Sequence, residues 1–498
     1  MMAEKVGRNL SLTALIVLLV LLPFENKLEA VYQGAEVAVL LGFLVRLYRQ
    51  THWRYWAVAV GAYLVSLGLF AGIAWLHVHS AQSEFPVAEI FRTLLVQVGI
   101  LYFCMILVFL TQFVFRPEGW KPCDRWMKTT LALAWGFGVV VLISALCSLH
   151  PFESLAYCRK YVAPYLLIYM ITVETLHSWR HYRFIIGAIY LVGIIATSVA
   201  VTARYVYDNG GYDLKSKFER SEIVRREVRA DKQEETRIQW PFRHHNRLCS
   251  YALIVTLFVW LQFFATRNWE LKTLVAISAV IPVWCILLTL TRGGYIALAA
   301  AALALVLMIH WRSVWILLAL AVVAWFVSPS LIRERLKSLV HLKTYIEAKG
   351  TFGLRRQLWI WSLGIIREHP MLGLGAGWEV FEDYIKTNHP EKDPEMETPH
   401  AHNNFLEIAA ESGLGAMALF LAFTAGLVVQ IGRAWRHTAR QTKRRFVVAG
   451  FFALLIAITV FGLGSYSLRY TVGMLVWVCF ALMTLLPLVA RAIPEETR

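Results

Sequence analysis

Two histidines and two asparagines stand together just before a long apolar run. His400 and His402 flank one alanine, Asn403 and Asn404 follow, and Glu407 comes one helical turn later. A histidine that is neutral near pH 7 can take a proton from a sugar hydroxyl, and Asn403 or Glu407 could orient its ring. The same residues also suit the N-terminus of an interfacial helix with capping polar groups. His-X-His can supply two metal ligands, but no third ligand stands at a suitable spacing, so no metal site is predicted.

Three arginines form a second group of candidate functional residues. Arg292 precedes two glycines in a short turn between apolar runs, where its planar guanidinium can approach a phosphate together with backbone amides. Arg355 and Arg356 are adjacent in a segment with helical periodicity and are further candidates for contact with an anion. The alternatives are a snorkelling arginine at a helix end and a solvated helix face.

A further polar group precedes the apolar run that begins near residue 248. Arg243, His245 and Asn246 stand at the start of this run and are candidates for contact with a substrate. The alternative is that they only anchor the helix at the membrane surface.

The elements that hold these residues must be membrane helices. The chain has 498 residues, of which 58% are apolar and only 16% charged, and this composition excludes a water-soluble globular protein. We predict an all-α polytopic integral membrane protein with about 12–14 transmembrane helices, because a spanning helix needs roughly 20 mostly apolar residues. The best count is 14, at 9–24, 30–48, 56–77, 93–115, 129–149, 161–177, 184–206, 248–266, 272–290, 294–310, 313–328, 413–431, 446–464 and 471–490. The seven cysteines are dispersed and indicate no disulfide framework.

The charged loops predict the orientation. The formal net charge is +16, and positive residues in short loops mark the cytoplasmic side. The basic short loops all fall on one side if both termini are cytoplasmic; their residues are Arg46, Arg49, Arg54, Arg116, Lys121, Arg125, Lys128, Arg180, Arg183, Arg433, Arg436, Arg440, Lys443, Arg444 and Arg445. The candidate functional histidines, asparagines and arginines then lie on the opposite side of the membrane.

Two long segments, 207–247 and 329–412, fall on that opposite side. Long loops escape the charge rule, so their basic residues form either a solvated surface or an electropositive surface for an anionic lipid-linked substrate. Leu354, Leu358, Trp361 and Ile365 predict a helix in 329–412 whose apolar face packs on the bundle or the interface. The stretch 216–237 is so charged that we predict a solvated helix or a mobile segment.

Taken in order, these motifs resemble the O-antigen ligase and polymerase superfamily of bacterial envelope glycosyltransferases. The resemblance is carried by Arg292-Gly293, Arg355 with Trp359, His369-Pro370-Met371-Leu372-Gly373-Leu374-Gly375, His402-Asn403 and Glu411-Ser412-Gly413. It covers about 290–420 by motif and the remainder by helical architecture. The resemblance divides the chain into N-terminal membrane helices (1–206), a basic periplasmic loop (207–247), membrane helices of the catalytic region (248–328), a large, partly helical periplasmic loop with the catalytic motif (329–412) and C-terminal membrane helices (413–498).

The resemblance implies a GT-C-like glycosyltransferase with a metal-independent, inverting mechanism and no cofactor. Arg292 and Arg355 would hold the pyrophosphate of an undecaprenyl-linked glycan, with Arg356 as the neighbouring alternative. His402, or failing it His400, would activate the acceptor hydroxyl. Substrate contacts are expected from Arg356, His400, Asn403, Arg243, His245 and Asn246.

The leading interpretation is an O-antigen ligase of lipopolysaccharide biosynthesis. It would transfer a glycan from undecaprenyl pyrophosphate to lipid A–core at the periplasmic face of the bacterial inner membrane. A repeat-unit polymerase and a protein O-oligosaccharyltransferase share the motifs and differ in the acceptor. A lipid-glycan transporter is the non-enzymatic alternative, although such proteins carry internal repeats and ionisable groups near the midplane, which this sequence lacks. The expected partners are the two lipid substrates and membrane lipids, not nucleic acid.

Overall fold

A computed structural model describes residues 124–492 apart from 177, 229–233, 328–329, 331, 335–336, 338–350, 390–399 and 439–442. The helices are α1 (Arg125–Leu146), α2 (Pro151–Tyr157), α3 (Ala163–Thr175), α4 (Trp179–Asn209), α5 (Tyr212–Arg220), α6 (His245–Ala265), α7 (Trp269–Ser278), α8 (Val280–Leu288), α9 (Arg292–Ile309), α10 (Val314–Val327), α11 (Thr351–Glu368), α12 (Trp378–Asn388), α13 (Asn404–Arg436), α14 (Lys443–Gly462) and α15 (Tyr470–Ala492). A π-helical turn (Cys158–Val162) joins α2 to α3, and a 3₁₀ turn (Trp311–Ser313) precedes α10. The strands are β1 (Val224–Val228) and β2 (Glu234–Ile238).

Eight helical segments of the described residues are long and apolar enough to cross a membrane. They are α1, α4, α6, the α7–α8 pair, α9, α13, α14 and α15. The protein is therefore a mostly helical, multi-pass membrane protein. The predicted spans 161–177 and 313–328 correspond to shorter helices, α3 with 13 residues and α10 with 14. The predicted spans at 9–24, 30–48, 56–77 and 93–115 lie outside the described residues, so the total of 12–14 stays a prediction.

Helix α15 forms the centre of the bundle. Its most apolar window is 94% buried, and it packs against α3, α13 and α14. The Tyr169 hydroxyl lies 2.9 Å from the Thr484 hydroxyl, and Tyr182 donates a 2.6 Å hydrogen bond to the Leu482 carbonyl. Lipid provides little hydrophobic drive between helices, so close packing and such interhelical hydrogen bonds hold a membrane bundle together.

Helix α13 begins earlier than its apolar composition indicates. It runs from Asn404 and bends at Gly413, which has the non-helical angles φ +83° and ψ 170°. A β-carbon at Gly413 would lie 2.0 Å from the Met371 carbonyl oxygen, so only glycine allows the close approach of these two backbones. The span predicted at 413–431 starts at this bend, because the preceding turns carry polar residues.

The segment 207–247 contains a β-hairpin, where the stretch 216–237 was predicted to be a solvated helix or mobile. Helix α5 covers the first part of the predicted solvated or mobile stretch 216–237, and β1 and β2 pair antiparallel after it. Val224 and Ile238 are cross-strand partners, and both are 1% exposed. Two β-branched residues at matched positions thus anchor a highly charged segment to the protein core.

Helices α11 and α12 form a small layer over the bundle, called the cap below. Leu358, Trp361 and Ile365 pack with residues of α12 and with Ala410 of α13, and Leu354 lies against the same cluster. This confirms the predicted apolar face of the helix in 329–412 and its packing on the bundle.

Among the described residues, the start of α1 and the ends of α13 and α15, predicted to share a side of the membrane, lie at the same end of the bundle. Arg433 is paired with Asp124, and Arg491 donates a 2.9 Å hydrogen bond to His437. The Thr291 hydroxyl bonds Asn246 at the other end. Which end faces the cytoplasm stays a prediction from the charge rule.

Candidate functional site

His402 lies in a short loop that enters α13 and is fixed on three sides. Trp359 of α11 donates a 2.9 Å hydrogen bond from Nε1 to the carbonyl of Ala401. Asn403 caps α13, because its Oδ1 accepts from the backbone N–H groups of Phe405 and Leu406. The Asn403 Nδ2 donates to the Leu463 carbonyl at 3.1 Å, which ties the loop to the end of α14. The α11–α12 cap, through Trp359, and the helix cap formed by Asn403 therefore both hold the His402 loop in place.

A cavity of about 170 Å³ opens beside His402. The ring centroids of His400 and His402 are 3.6 Å apart, and both rings contribute to its wall. A further predicted segment meets the cavity here, since His244 and Asn246 at the start of α6 line it. The remaining lining residues are Arg247, Ser250, Trp378, Phe461, Ser465, Tyr466, Ser467, Arg469, Tyr470 and Val472.

The predicted phosphate arginines, Arg292 and Arg355, do not line this cavity, but each lies near a residue that does. Thr291, directly before Arg292, donates a hydrogen bond from its hydroxyl to Asn246 Oδ1 at 3.2 Å. Arg355 of α11 is largely buried, whereas the adjacent Arg356 is exposed. Burial therefore distinguishes the two neighbouring candidates, because only Arg355 is turned into the protein.

Arg355 lies close enough to two other arginines for their charges to act on its pKa. Burial lowers its pKa to about 10, and the positive charges of Arg292 and Arg237 act in the same direction. The guanidinium still carries its charge at neutral pH. Cations held together in a partly buried place are arranged to receive negative charge.

His402 is uncharged at neutral pH. Burial lowers its pKa well below 6.5, and the nearby His400 and Arg355 lower it further. The pKa of His244 is lowered to about 3, mainly by burial and then by Arg247 and Arg225. A neutral imidazole can accept a proton, which a protonated one cannot.

Four segments of the site contain a residue with an unusual backbone. Arg243, Leu290, His402 and Tyr470 have φ between +50° and +59°, a region that side chains other than glycine rarely adopt. Each lies within two residues of a site residue, at the start of α6, α9, α13 or α15. Strained backbone of this kind accumulates where side chains must be held in a set geometry.

Residues 277–421 match the family of O-antigen ligases. This match supports the O-antigen ligase and polymerase superfamily for this part of the chain. The match covers Arg292, Arg355 and His402 and confirms the predicted resemblance. No curated protein matches the chain.

Arg469 lies outside the matched residues 277–421, and the sequence analysis did not identify it. This arginine is 4% exposed, lines the cavity and lies 2.9 Å from Glu407. It also pairs with Glu411, and its Nε donates to the Tyr157 hydroxyl at 3.0 Å. Burial would lower the pKa of Arg469, but Glu407 and Glu411 outweigh it and hold the pKa above its ordinary value. A lone arginine in the short turn 463–469 was a detectable signal, since Arg292 was singled out on the same ground.

The glycine motif at 369–375, together with the following Gly377, has a structural part in the candidate site. Leu374 and Gly375 donate backbone hydrogen bonds to the carbonyls of Ala410 and Glu411, at 3.0 and 2.9 Å. The N–H of Gly377 donates to the Glu411 side chain at 3.1 Å. The segment therefore fixes the start of α12, where Trp378 contributes to the cavity wall.

Some predicted substrate contacts lie away from the cavity wall. Arg243 is 3.6 Å from Glu222, and both side chains are more than half exposed. His245 lies behind His244 and contacts Arg237 at 2.9 Å, and Arg356 faces outward. The Asn403 amide is engaged in the helix cap. In the described part of the chain, no three His, Cys, Asp or Glu residues are grouped as metal ligands.

Proposed function

We propose that this protein is an O-antigen ligase that transfers a glycan from undecaprenyl pyrophosphate to lipid A–core at the periplasmic face of the inner membrane. The observation that supports the proposal is the proximity of Arg292 to Arg355, and of Arg355 to His402, which lines the cavity. These residues come from three elements that are distant in the chain. Their types match a reaction that needs an anion site and a base.

The arginines would hold the pyrophosphate of the donor. A pyrophosphate is a good leaving group when fixed cations meet its negative charge, and arginine cannot lose its charge in doing so. The cavity volume of about 170 Å³ is below the roughly 300–1,000 Å³ of ordinary ligand sites. It is therefore suited to the reacting part of the substrates, while the lipid and the glycan extend outside it.

His402 would act as the general base. The acceptor hydroxyl gives its proton to the imidazole, and its oxygen forms a bond to the anomeric carbon of the donor sugar. The bond between this carbon and the pyrophosphate oxygen breaks, and its electron pair leaves with undecaprenyl pyrophosphate. Attack from the face opposite the leaving group inverts the anomeric configuration.

Donor binding would prepare His402 for this step. In the free protein its low pKa makes it a weak base. The negative charge of a bound pyrophosphate counteracts the nearby Arg355 and raises the pKa of His402 towards the working pH. Proton transfer would thus become favourable only once the donor is in place.

Purified protein in lipid nanodiscs tests the proposal with three acceptors. The wild type is incubated with undecaprenyl-linked glycan as the donor in three separate reactions. The first contains lipid A–core, the second contains no acceptor other than the donor itself, and the third contains an acceptor protein. We expect glycosylated lipid A–core as the product. Products formed only between donors would instead identify a polymerase, and transfer only to protein would identify an oligosaccharyltransferase. In sealed liposomes, movement of the donor across the bilayer without any transfer would support a transporter.

A further inference from the structure

Arg469 connects three elements that surround the cavity. It lies in the turn between α14 and α15 and is 4% exposed. Its Nη2 contacts Oε1 of Glu407 at 2.9 Å and pairs with Glu411 as well. Its Nε donates a 3.0 Å hydrogen bond to the Tyr157 hydroxyl, and the guanidinium carbon lies 4.3 Å from the ring centroid of Tyr466, which lines the cavity. One side chain thus joins the first turns of α13, the end of α2 and the turn before α15.

Two buried carboxylates require this cation. Glu407 and Glu411 are four residues apart in α13, so they lie on the same side of the helix, and they are 0% and 3% exposed. Like charges at this spacing repel, and a buried charge without a partner is strongly destabilising. Arg469 contacts both glutamates and therefore holds them in one arrangement despite their repulsion.

Glu411 connects this arrangement to the cap. The N–H of Gly377 donates to Glu411 Oε2 at 3.1 Å. Gly377 has φ +123°, and a β-carbon there would lie 3.2 Å from the side chain of Tyr157. Trp378, the first residue of α12, follows directly and lines the cavity. The position of Trp378 in the cavity wall therefore depends on the pair of Arg469 and Glu411.

Glu407 connects the same arrangement to the loop that carries His402. Its backbone N–H donates a 2.9 Å hydrogen bond to the Asn403 carbonyl, in the first turn of α13. The backbone of His402 lies close enough to the Glu407 carboxylate to act on its charge. The positive charge of Arg469 in turn acts on the His402 imidazole and contributes to its low pKa. The His402 loop, the two glutamates and Arg469 are thus one connected unit.

We propose that Arg469 is a positioning residue of the transfer reaction, which uses its two glutamates to hold His402 and Trp378 in a fixed relation across the cavity. This inference rests on the proposed function and adds to it a residue outside the matched range 277–421. A base must lie within hydrogen-bond reach of the hydroxyl, and a misplacement of about 1 Å can reduce the rate about a hundredfold. Because two glutamates already meet the charge of Arg469, its effect is expected on kcat and not on substrate binding.

Two variants separate positioning from stability. Arg469→Lys keeps the positive charge but loses the planar fork that suits carboxylates. The neutral variant combines Arg469→Met with Glu407→Gln and Glu411→Gln, so it leaves no buried charge without a partner. Replacing a whole buried ion cluster is far less destabilising than removing one member of it. We therefore expect both proteins to fold, and thermal unfolding in detergent checks this.

Initial rates are measured in nanodiscs with undecaprenyl-linked glycan and lipid A–core, each varied in turn. We expect kcat to fall about a hundredfold in the neutral variant and about tenfold in Arg469→Lys. The KM for each substrate should stay within about twofold of the wild-type value, since the proposed substrate contacts are unchanged. The lysine variant keeps part of the activity because its ammonium still lies between the two carboxylates.

Arg433→Lys is the matched control. Arg433 is also paired with a carboxylate, that of Asp124, and lies at the other end of the bundle. The same exchange of arginine for lysine should leave kcat at the wild-type value. A fall as large as in Arg469→Lys would show a general effect of weakened helix packing and would overturn the inference.

Two other results would overturn the inference. One is a wild-type kcat in the folded neutral variant or, where that variant is unfolded, in Arg469→Lys. The other is a loss that appears only as a higher KM, which would make Arg469 a substrate-binding residue. A wild type that forms products only between donors would refute the ligase function instead, and the same comparison of kcat values would then apply to that reaction.

Discussion

His402 is the residue on which the proposed chemistry depends most directly. In His402→Ala, transfer should fall by a factor of about 10²–10⁴, the usual contribution of a general base. Donor binding should persist, because Arg292 and Arg355 are unchanged. His400→Ala should cause a clearly smaller loss of turnover. Product formation and donor binding by purified protein measure both effects; equal losses in the two variants would contradict the assignment of the base.

The two adjacent arginines of α11 provide a matched pair. Arg355→Ala should reduce kcat/KM for the donor by about a hundredfold, because a preorganised cation is lost from the leaving group. Arg356→Ala removes the same charge one residue away, on the exposed side of the helix, and should have little effect. Steady-state kinetics with varied donor distinguish the two. A larger effect of Arg356→Ala would show that Arg356, and not Arg355, contacts the phosphate.

The pH dependence follows from the neutral state of His402. Protonation inactivates a base, and the pKa of His402 in the free protein lies well below 6.5. We therefore expect kcat/KM, which reports on the free enzyme, to stay constant as the pH falls from about 7.5 to about 6.5 and to drop only at lower pH. The charge of the bound donor raises the pKa, so kcat should drop at a higher pH than kcat/KM does. Coincident profiles would contradict the proposed coupling between donor and base.

The sequence indicated the candidate catalytic residues better than the residues that support them. Arg292, Arg355 and His402 were recognisable because polar residues at a membrane boundary are costly and rarely incidental. Arg469, Glu407 and Glu411 form a buried cluster through contacts between α13 and the turn before α15, and no local pattern records such a contact. Asn403 was interpreted both as a ring-orienting group and as a cap, and the geometry shows the cap.

Helix α13 depends on glycine at its bend. In Gly413→Ala, the new methyl group would meet the Met371 carbonyl at 2.0 Å and would stand on a residue with φ +83°. We expect destabilisation by about 3 kcal/mol from overpacking and backbone strain together. Gly364 is the control, since it lies in α11 with nothing within 4 Å of an added β-carbon. Gly364→Ala should be neutral or stabilising by up to about 1 kcal/mol. Denaturation in detergent measures both; equal stabilities would contradict the close backbone contact.

The hairpin shows how a sequence prediction fails at the level of an element. The charge of 216–237 dominated its composition and favoured a solvated helix or a mobile segment. The two residues that decide the outcome, Val224 and Ile238, are 14 positions apart and meet only after the strands pair. Helices, by contrast, were largely predictable, because their apolar stretches are continuous along the chain.

The orientation of the whole protein in the membrane is testable by labelling. Lys386→Cys in α12 and Arg436→Cys at the end of α13 would introduce thiols at exposed positions of opposite ends of the bundle. We expect a membrane-impermeant thiol reagent to label Lys386→Cys in intact cells with a permeable outer membrane. Arg436→Cys should react only after lysis, because positive loops are retained in the cytoplasm. The native Cys147 is exposed and is replaced by serine in both variants. The reverse labelling would refute a periplasmic site.

The bend in α13 also limits the order in which the protein can assemble. At Gly413 the helix loses its regular backbone bonding, and the segment around Met371 supplies the partners: Leu414 donates to the Pro370 carbonyl, and Leu374 donates to the Ala410 carbonyl. Unpaired backbone groups are not tolerated in lipid. The segment around Met371 must therefore be in place before this helix can reach its final shape. The site is consequently completed late, when this segment docks onto a helix that follows it in synthesis.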